Sequence, residues 1–185
     1  IIEYNNNLGD IKKMQISVTQ AYFMQLLIKI NKVKQILEIG TFTGYSALCL
    51  TEGLKKGGEI HTIDKNEELL QIQNKYFKKS NYRDNIFQYT MDASIMLEKM
   101  KKKFDIIFLD ADKKNYLNYL NIIPNILNKN GVLIADNVLW YGKVLGKISE
   151  TDIETKAINQ FNKKLKNSKQ FQTIILPLRD GISIS

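Results

Sequence analysis

The chain has 185 residues, enough for one domain with a sizeable core and too few for two. Hydrophobic residues make up 44% and charged residues 25%, an ordinary soluble globular balance; no apolar run is long enough to span a membrane, and one cysteine, Cys49, excludes an internal disulfide. The formal net charge of +8 fits nucleic acid, membrane or an acidic substrate, but the lysines are scattered in short runs near predicted helix C-termini, where cations complement the macrodipole, so charge alone selects no partner.

Residues 1–13 are polar, show little periodicity and read as a mobile lead-in. The chain opens on Ile1 rather than Met, so a native N-terminal segment is expected to be missing. From Ser17 to Ile30 the pattern is helical, with Tyr22, Leu26 and Ile30 on one stripe and Phe23 and Leu27 beside it. Ser17 or Thr19 can cap its start. A strand at 35–39 leads through a glycine turn into a helix at 44–56, which Gly57-Gly58 breaks. Strands follow at 59–63, 86–90, 104–109 and 132–135, alternating with helices near 67–80, 94–101, 114–127 and 151–166. Asn130-Gly131 is read as the stop of the helix at 114–127. Phe171–Leu176 is the sixth strand, and a short connection through Asp180-Gly181 sets an antiparallel hairpin with Ile182–Ile184. The alternation predicts an α/β fold, a mostly parallel sheet with helices on both faces, in a single domain over residues 1–185.

The chain is organised around Ile36-Leu-Glu-Ile-Gly-Thr-Phe-Thr-Gly-Tyr-Ser46, a buried strand turning sharply into a helix. Ligands of open α/β sheets sit at the carboxyl ends of the strands. Gly40 and Gly44 lack a Cβ and so let the backbone approach a ligand closely. The spacing is Gly-x-x-x-Gly, without the close first pair of a dinucleotide fingerprint. Glu38 at the strand end repels a pyrophosphate and suits a cation. S-adenosylmethionine carries an ammonium and a sulfonium and no phosphate.

Four strands end in acid-bearing turns, at Glu38, Asp64, Asp110 and Asp136. Helix capping accounts for one or two such acids, but four along one sheet edge look like a site. Asp64 follows the glycine turn by about 20 residues, the place for an acid that accepts from ribose hydroxyls. Asp110, Asp136 and Asn137 converge as a hard-oxygen cation site suited to Mg²⁺. Lys113, beside such a cation, can serve as a base. His61 is the only histidine, so a His-based triad or zinc cluster lacks its parts.

Leu37–Ser46, Phe104-Asp-Ile-Ile-Phe-Leu-Asp-Ala-Asp-Lys113 with Tyr116, Asp136-Asn-Val-Leu-Trp140 with Gly142, and Leu176-Pro-Leu-Arg-Asp-Gly181 together resemble the cation-dependent O-methyltransferases, the caffeoyl-CoA and catechol O-methyltransferase family. The resemblance runs from Met14 onward. It implies a Rossmann-like class I methyltransferase fold with seven strands in the order 3-2-1-4-5-7-6, the last antiparallel. It implies that Glu38, Gly40, Thr41 and Ser46 hold the methionine part of S-adenosylmethionine, with Asp64 on the ribose. Asp92 and Ala93 would lie near the adenine, while Asp112 and Ile16 would touch the cofactor. Asp110, Asp136 and Asn137 would bind Mg²⁺ (or Mn²⁺ or Ca²⁺), and Lys113 aligns with the catalytic lysine. Trp140 and Tyr141 could wall the acceptor. Met91 stands where family members usually have glycine, Val18 where bacterial members often have proline, and the N-terminal helices that cover the substrate are absent.

The expected reaction is methyl transfer to a vicinal dihydroxy aromatic such as a catechol or caffeoyl compound, in a cytoplasmic homodimer. The competing readings are methylation of 5-hydroxyuridine in tRNA, a nicotinamide-binding oxidoreductase, and a non-catalytic adenosyl-binding module.

Overall fold

The computed structural model describes residues 1–185. Strands β1 (Gln35–Ile39), β2 (Glu59–Asp64), β3 (Ile86–Thr90), β4 (Phe104–Leu109) and β5 (Leu127–Asp136) pair in parallel. Strands β6 (Ile174–Leu176) and β7 (Ile182–Ile184) complete a seven-stranded sheet ordered β3-β2-β1-β4-β5-β7-β6, and β7 is antiparallel to both neighbours. The chain reverses its direction of travel across the sheet between β1 and β4, the switch point at which α/β sheets open a crevice.

The central strands are mostly apolar because both sheet faces are covered, with Glu38, His61 and Thr62 the buried polar exceptions in β1 and β2. Alternate side chains divide between two cores. On one face Ile36, Ile60, Ile106 and Phe108 meet helices α2 (Val18–Ile30), α3 (Tyr45–Gly53) and α4 (Leu70–Lys79) through Met24, Ile28, Leu50 and Phe77. On the other, Leu37, Ile39, Ile107 and Leu109 meet α5 (Ala93–Lys99), α6 (Tyr116–Ile126) and α7 (Ile153–Lys166) through Leu97, Ile123, Ile158 and Phe161.

The structure departs from the sequence reading in four places. Residues 1–13 are not a bare lead-in. Helix α1 (Ile2–Asn6) and a 3₁₀ segment (Gly9–Met14) fold over the glycine turn. Buried Asn5 is the clip: its amide donates to Thr43 Oγ1 at 2.8 Å and to Gln15 Oε1 at 2.5 Å. Polar side chains thus fix a segment whose apolar pattern gives no signal.

The stripe on α2 faces outward: Tyr22, Leu26 and Ile30 are 63%, 59% and 74% exposed, with Val18 in line at 45%. The inward face is Ala21, Met24 and Ile28, with Gln25 donating to the Cys49 carbonyl of α3 at 2.9 Å. Strand β5 starts at Leu127 rather than Val132, running back through Asn130-Gly131. Leu127 pairs with Phe104 across an irregularity, and Asn128 donates to Asp105 Oδ1 at 2.7 Å, so the strand is held below the point where its apolar run begins. Strand β6 covers only Ile174–Leu176, because its partner β7 is three residues long. Ser17 caps α2, accepting from the Gln20 amide at 3.1 Å.

Candidate active site

A cavity of about 620 Å³ opens at the carboxyl ends of the parallel strands. Thirteen of the residues singled out by sequence line it: Ile16, Gly40, Thr41, Ser46, Asp64, Asp92, Ala93, Asp110, Asp112, Lys113, Asn137, Trp140 and Tyr141. Glu38 and Asp136 do not reach its surface; both are fully buried behind it.

The glycine turn is built differently from the sequence expectation. Gly40 has φ +101°, and a Cβ there would meet the Asp110 carbonyl oxygen at 2.0 Å. Gly44, at φ +88°, would place a Cβ 2.5 Å from the Phe77 ring. Both glycines therefore admit neighbouring protein, the backbone of β4's exit in one case and α4 in the other. Only Gly40 also faces the cavity.

Asp64 latches this turn. Its Oδ2 accepts from the Thr41 and Phe42 amides at 3.0 and 2.8 Å, and its Oδ1 from the Asn66 amide at 2.9 Å. It still borders the cavity, so one carboxylate both shapes the turn and faces the ligand space. Asp92 caps α5 through the Ser94 and Ile95 amides. Asp112 accepts from Tyr119 Oη at 2.8 Å.

Glu38 lies under the turn. Burial pushes its carboxyl up to about 8, and the Asp110 and Asp64 carboxylates push the same way, while the nearby Ser46 hydroxyl and the Thr62 hydroxyl, which donates to Oε2, pull back. Its Oε1 has no hydrogen-bond partner. A buried neutral acid with one free oxygen is ready to ionise when a cation arrives.

The second half of the site lies at the ends of β4 and β5. Asp136 is raised from the ordinary carboxylate range by burial and by the neighbouring Asp110 charge; the Gln20 side chain, the Asn137 amide and Lys113 act against the shift. Its Oδ1 accepts from the Asn137 amide at 2.7 Å, and its buried Oδ2 has no partner. Two mutually repelling carboxylates, an orphaned buried oxygen and an adjacent amide side chain fit a hard divalent cation. No three His, Cys, Asp or Glu side chains gather anywhere in the molecule; the cavity-lining residue next to Asp136 is the amide Asn137.

Lys113 is not the solvated lysine that its place at a helix start suggests. It is 7% exposed, with Nζ 3.0 Å from Asp110 Oδ1 and 2.7 Å from Tyr116 Oη. Trp140 is half-buried, lines the cavity and packs on the α5–α7 core. Tyr141 is 74% exposed at the mouth. Asn137, Trp140 and Tyr141 all have positive φ, and the Asp180-Gly181 turn pins them. Asp180 Oδ1 accepts from the Tyr141 amide at 2.6 Å, its carbonyl accepts from Leu139, and the Gly181 carbonyl accepts from Val138.

Several lining residues escape sequence reasoning. Met14, Gln15, Phe42 and Tyr45 neighbour or sit inside recognised motifs, and adjacency could have found them, while Met91, singled out as a departure from the usual glycine, does line the cavity. Tyr119 and Glu154 come from distant segments and carry no local signal, whereas Arg179 sits inside the Leu176–Gly181 stretch that carries the resemblance, without a role given to it there. Arg179 also donates to the Lys13 carbonyl, tying the far end of the chain to the N-terminal segment.

Residues 3–185 match the O-methyltransferase family. Among curated relatives, the flavonoid 3′,5′-methyltransferase of Vitis vinifera is 30% identical over 182 residues, covering 92% of this chain and 77% of its own. The caffeoyl-CoA O-methyltransferase of Medicago sativa is also 30% identical, covering 92% and 74%. Among solved structures, an SAH complex of the Bacillus cereus O-methyltransferase superposes with a TM-score of 0.88 at 28% identity, covering 99% of this chain and 88% of that one. An SAH-bound methyltransferase from Podospora anserina gives 0.89 at 26% identity, covering 99% and 84%. The chain belongs to the O-methyltransferase family.

Proposed function

On the premise of that family membership, we propose that the protein transfers the methyl group of S-adenosylmethionine to one hydroxyl of a small aromatic acceptor bearing vicinal hydroxyls, with a divalent cation at Asp110, Asp136 and Asn137. The observation that carries the cation is the partnerless Asp136 Oδ2 beside the Asp110 charge. The methyl donor is supported by the Gly40–Gly44 turn, the acids beneath it and the SAH complexes of two structural relatives.

In this reading Gly40, Thr41 and Ser46 border the methionine part and Asp64 the ribose. Glu38 ionises beneath them to balance the cofactor's positive charge. Asp92, Ala93 and Met91 border the adenine, with Met91 narrowing that end. When bound, the cation supplies Lewis acidity that lowers the pKa of an acceptor hydroxyl. Asp110 and Asp136 compensate the added charge. Lys113 Nζ receives the hydroxyl proton. The acceptor oxygen would then attack the methyl carbon in line, the O–C bond forming as the C–S bond breaks and S-adenosylhomocysteine leaves, and holding the two reactants in one cavity would supply much of the rate. Trp140 and Tyr141 wall the acceptor ring. The vicinal dihydroxy acceptor is also in keeping with the caffeoyl-CoA and flavonoid relatives. The proposal includes a homodimer, supported by the outward apolar stripe of α2.

A methyl-transfer screen on catechols, caffeoyl-CoA and bulk tRNA, each with and without Mg²⁺, tests the reading. Mg²⁺-dependent methylation of a dihydroxy aromatic is expected. Transfer to tRNA alone would replace the acceptor class, and binding of NAD in place of S-adenosylmethionine would overturn the whole reading.

A further inference from the structure

Tyr116, the first residue of α6, takes no part in the chemistry above, yet it stands at the junction of its parts. It is fully buried. Its Oη lies 2.7 Å from Lys113 Nζ, 3.1 Å from the Asp136 carbonyl oxygen and 3.2 Å from the Leu109 carbonyl oxygen. A phenol has one proton and can accept as well. The proton goes to the two backbone carbonyls, and a lone pair takes a hydrogen bond from Lys113. Leu109 and Asp136 belong to the exits of β4 and β5, whose register ends with the pair Leu109–Ala135. The phenol therefore bridges the two strands just where they deliver Asp110 and Asp136. The ring is fixed from the other side by Phe161 of α7, edge-on with centroids 5.2 Å apart.

We propose that Tyr116 is a positioning residue for methyl transfer, its hydroxyl holding Lys113 Nζ and the carboxylate-bearing ends of β4 and β5 in one frame. Lysine is a point charge on a flexible four-carbon stem, so its nitrogen needs fixed partners to stay aimed. Asp110 is one partner, but a divalent cation on Asp110 competes for that carboxylate. Tyr116 Oη is neutral and lies off the cation's donor set, so it keeps its hold on Nζ when the cation is bound. The inference rests on the proposed function, since the frame matters only if Lys113 and the two carboxylates act together.

The experiment is a double-mutant cycle of Tyr116→Phe and Lys113→Ala, with two readouts. The first is kcat, with KM for S-adenosylmethionine and for the acceptor caffeoyl-CoA. The second is Mn²⁺ affinity measured directly by paramagnetic resonance without acceptor. Tyr116→Phe keeps the ring and its packing on Phe161. It is expected to lower kcat by about 10–100-fold with KM for S-adenosylmethionine unchanged, and to weaken Mn²⁺ binding by about 3–10-fold, as loss of one or two hydrogen bonds implies. In the Lys113→Ala background it should cost far less in kcat, because a residue acting through Lys113 has nothing left to aim. Equal losses in both backgrounds, or kcat and KM falling together with the melting temperature, would make Tyr116 a packing residue only and overturn the proposal. Phe161→Leu loosens the same ring without touching the hydroxyl. A kcat loss there equal to that of Tyr116→Phe would also overturn it. If the wild-type protein binds no Mn²⁺, the cation reading fails, and the kcat cycle still decides the role of Tyr116. If caffeoyl-CoA is not methylated, the Mn²⁺ comparison of wild type with Tyr116→Phe decides it.

Discussion

A Cβ on Gly40 would lie 2.0 Å from the carbonyl oxygen of Asp110. The glycine turn and Asp110 are therefore in backbone contact, and neither can move without the other. The Asp110 amide, in turn, donates to the Ile39 carbonyl at 2.9 Å, one residue before that glycine. The two halves of the site form one rigid corner.

Gly40→Ala forces an L-residue into φ +101° against immovable backbone. Left-handed strain costs about 1–3 kcal/mol and overpacking a further 1–3 kcal/mol. Gly44→Ala meets only the end of the Phe77 ring. Thermal melts should show Gly40→Ala as the more damaging, and Phe77→Leu should rescue Gly44→Ala in part. Equal damage from both, with no rescue, would contradict this account of the turn.

Lys113→Ala should reduce the single-turnover rate by about 10²–10⁴-fold, the range of general base catalysis. It also leaves Asp110 and Asp136 facing each other uncompensated, so the metal-free protein should melt lower and recover on adding Mg²⁺. Affinity for S-adenosylmethionine, followed by calorimetry, should change little. A parallel loss of rate and affinity would identify a structural lysine.

Glu38 makes the ligand-free protein sensitive to pH. Its carboxyl is raised from the ordinary 4.5 to about 8, so between those values the folded state keeps a proton that the unfolded state has released. Folding stability from this group is then fully present below about 4.5, declines as pH rises, and levels off above about 8. Glu38→Gln should flatten that slope in melts taken from pH 5 to pH 9. The same variant should bind S-adenosylmethionine more weakly, because its amide cannot ionise. An unchanged slope would mean that Glu38 is already ionised in the free protein.

Excess chelator should abolish turnover and leave S-adenosylmethionine binding intact, since the turn that faces the donor is held by Asp64 rather than by the cation donors. Turnover that persists in chelator removes the role assigned to Asp136 Oδ2.

Leu26→Glu places a charge in the middle of the outward stripe Val18, Tyr22, Leu26 and Ile30. If a second copy covers that face, sedimentation should show the shift from dimer to monomer with little change in melting of the isolated fold. A dimer that persists would place the contact elsewhere.

Much of the architecture is legible without coordinates because parallel strands buried on both faces are continuous apolar runs. Phe104–Leu109 is read to the residue on that ground, and the half-exposed edge strand Ile86–Thr90 is read to the residue from its β-favouring Ile, Phe, Tyr and Thr. The stripe on α2 misleads for a related reason. Periodicity reports that a helix has an apolar face but not which way it turns, and here Ala21, with Met24 and Ile28, packs inward. The N-terminal segment is missed because scattered polar side chains, the buried amide of Asn5 among them, hold it, and these have no pattern.

The sequence by itself determined the order of strands and helices, the acids at four strand ends and the resemblance that ties them to methyl transfer. These are local: a strand end and the turn after it are adjacent in the chain. Only the tertiary structure decided what each group touches. It put Glu38 and Asp136 behind the cavity wall, turned Gly40 and Gly44 toward protein neighbours, and set Lys113 between Asp110 and Tyr116. It brought Glu154 and Arg179 to the same cavity as Ile16. Distances between residues far apart in the chain are fixed by sheet order and packing, and burial, which sets the Glu38 proton, exists only once the layers close.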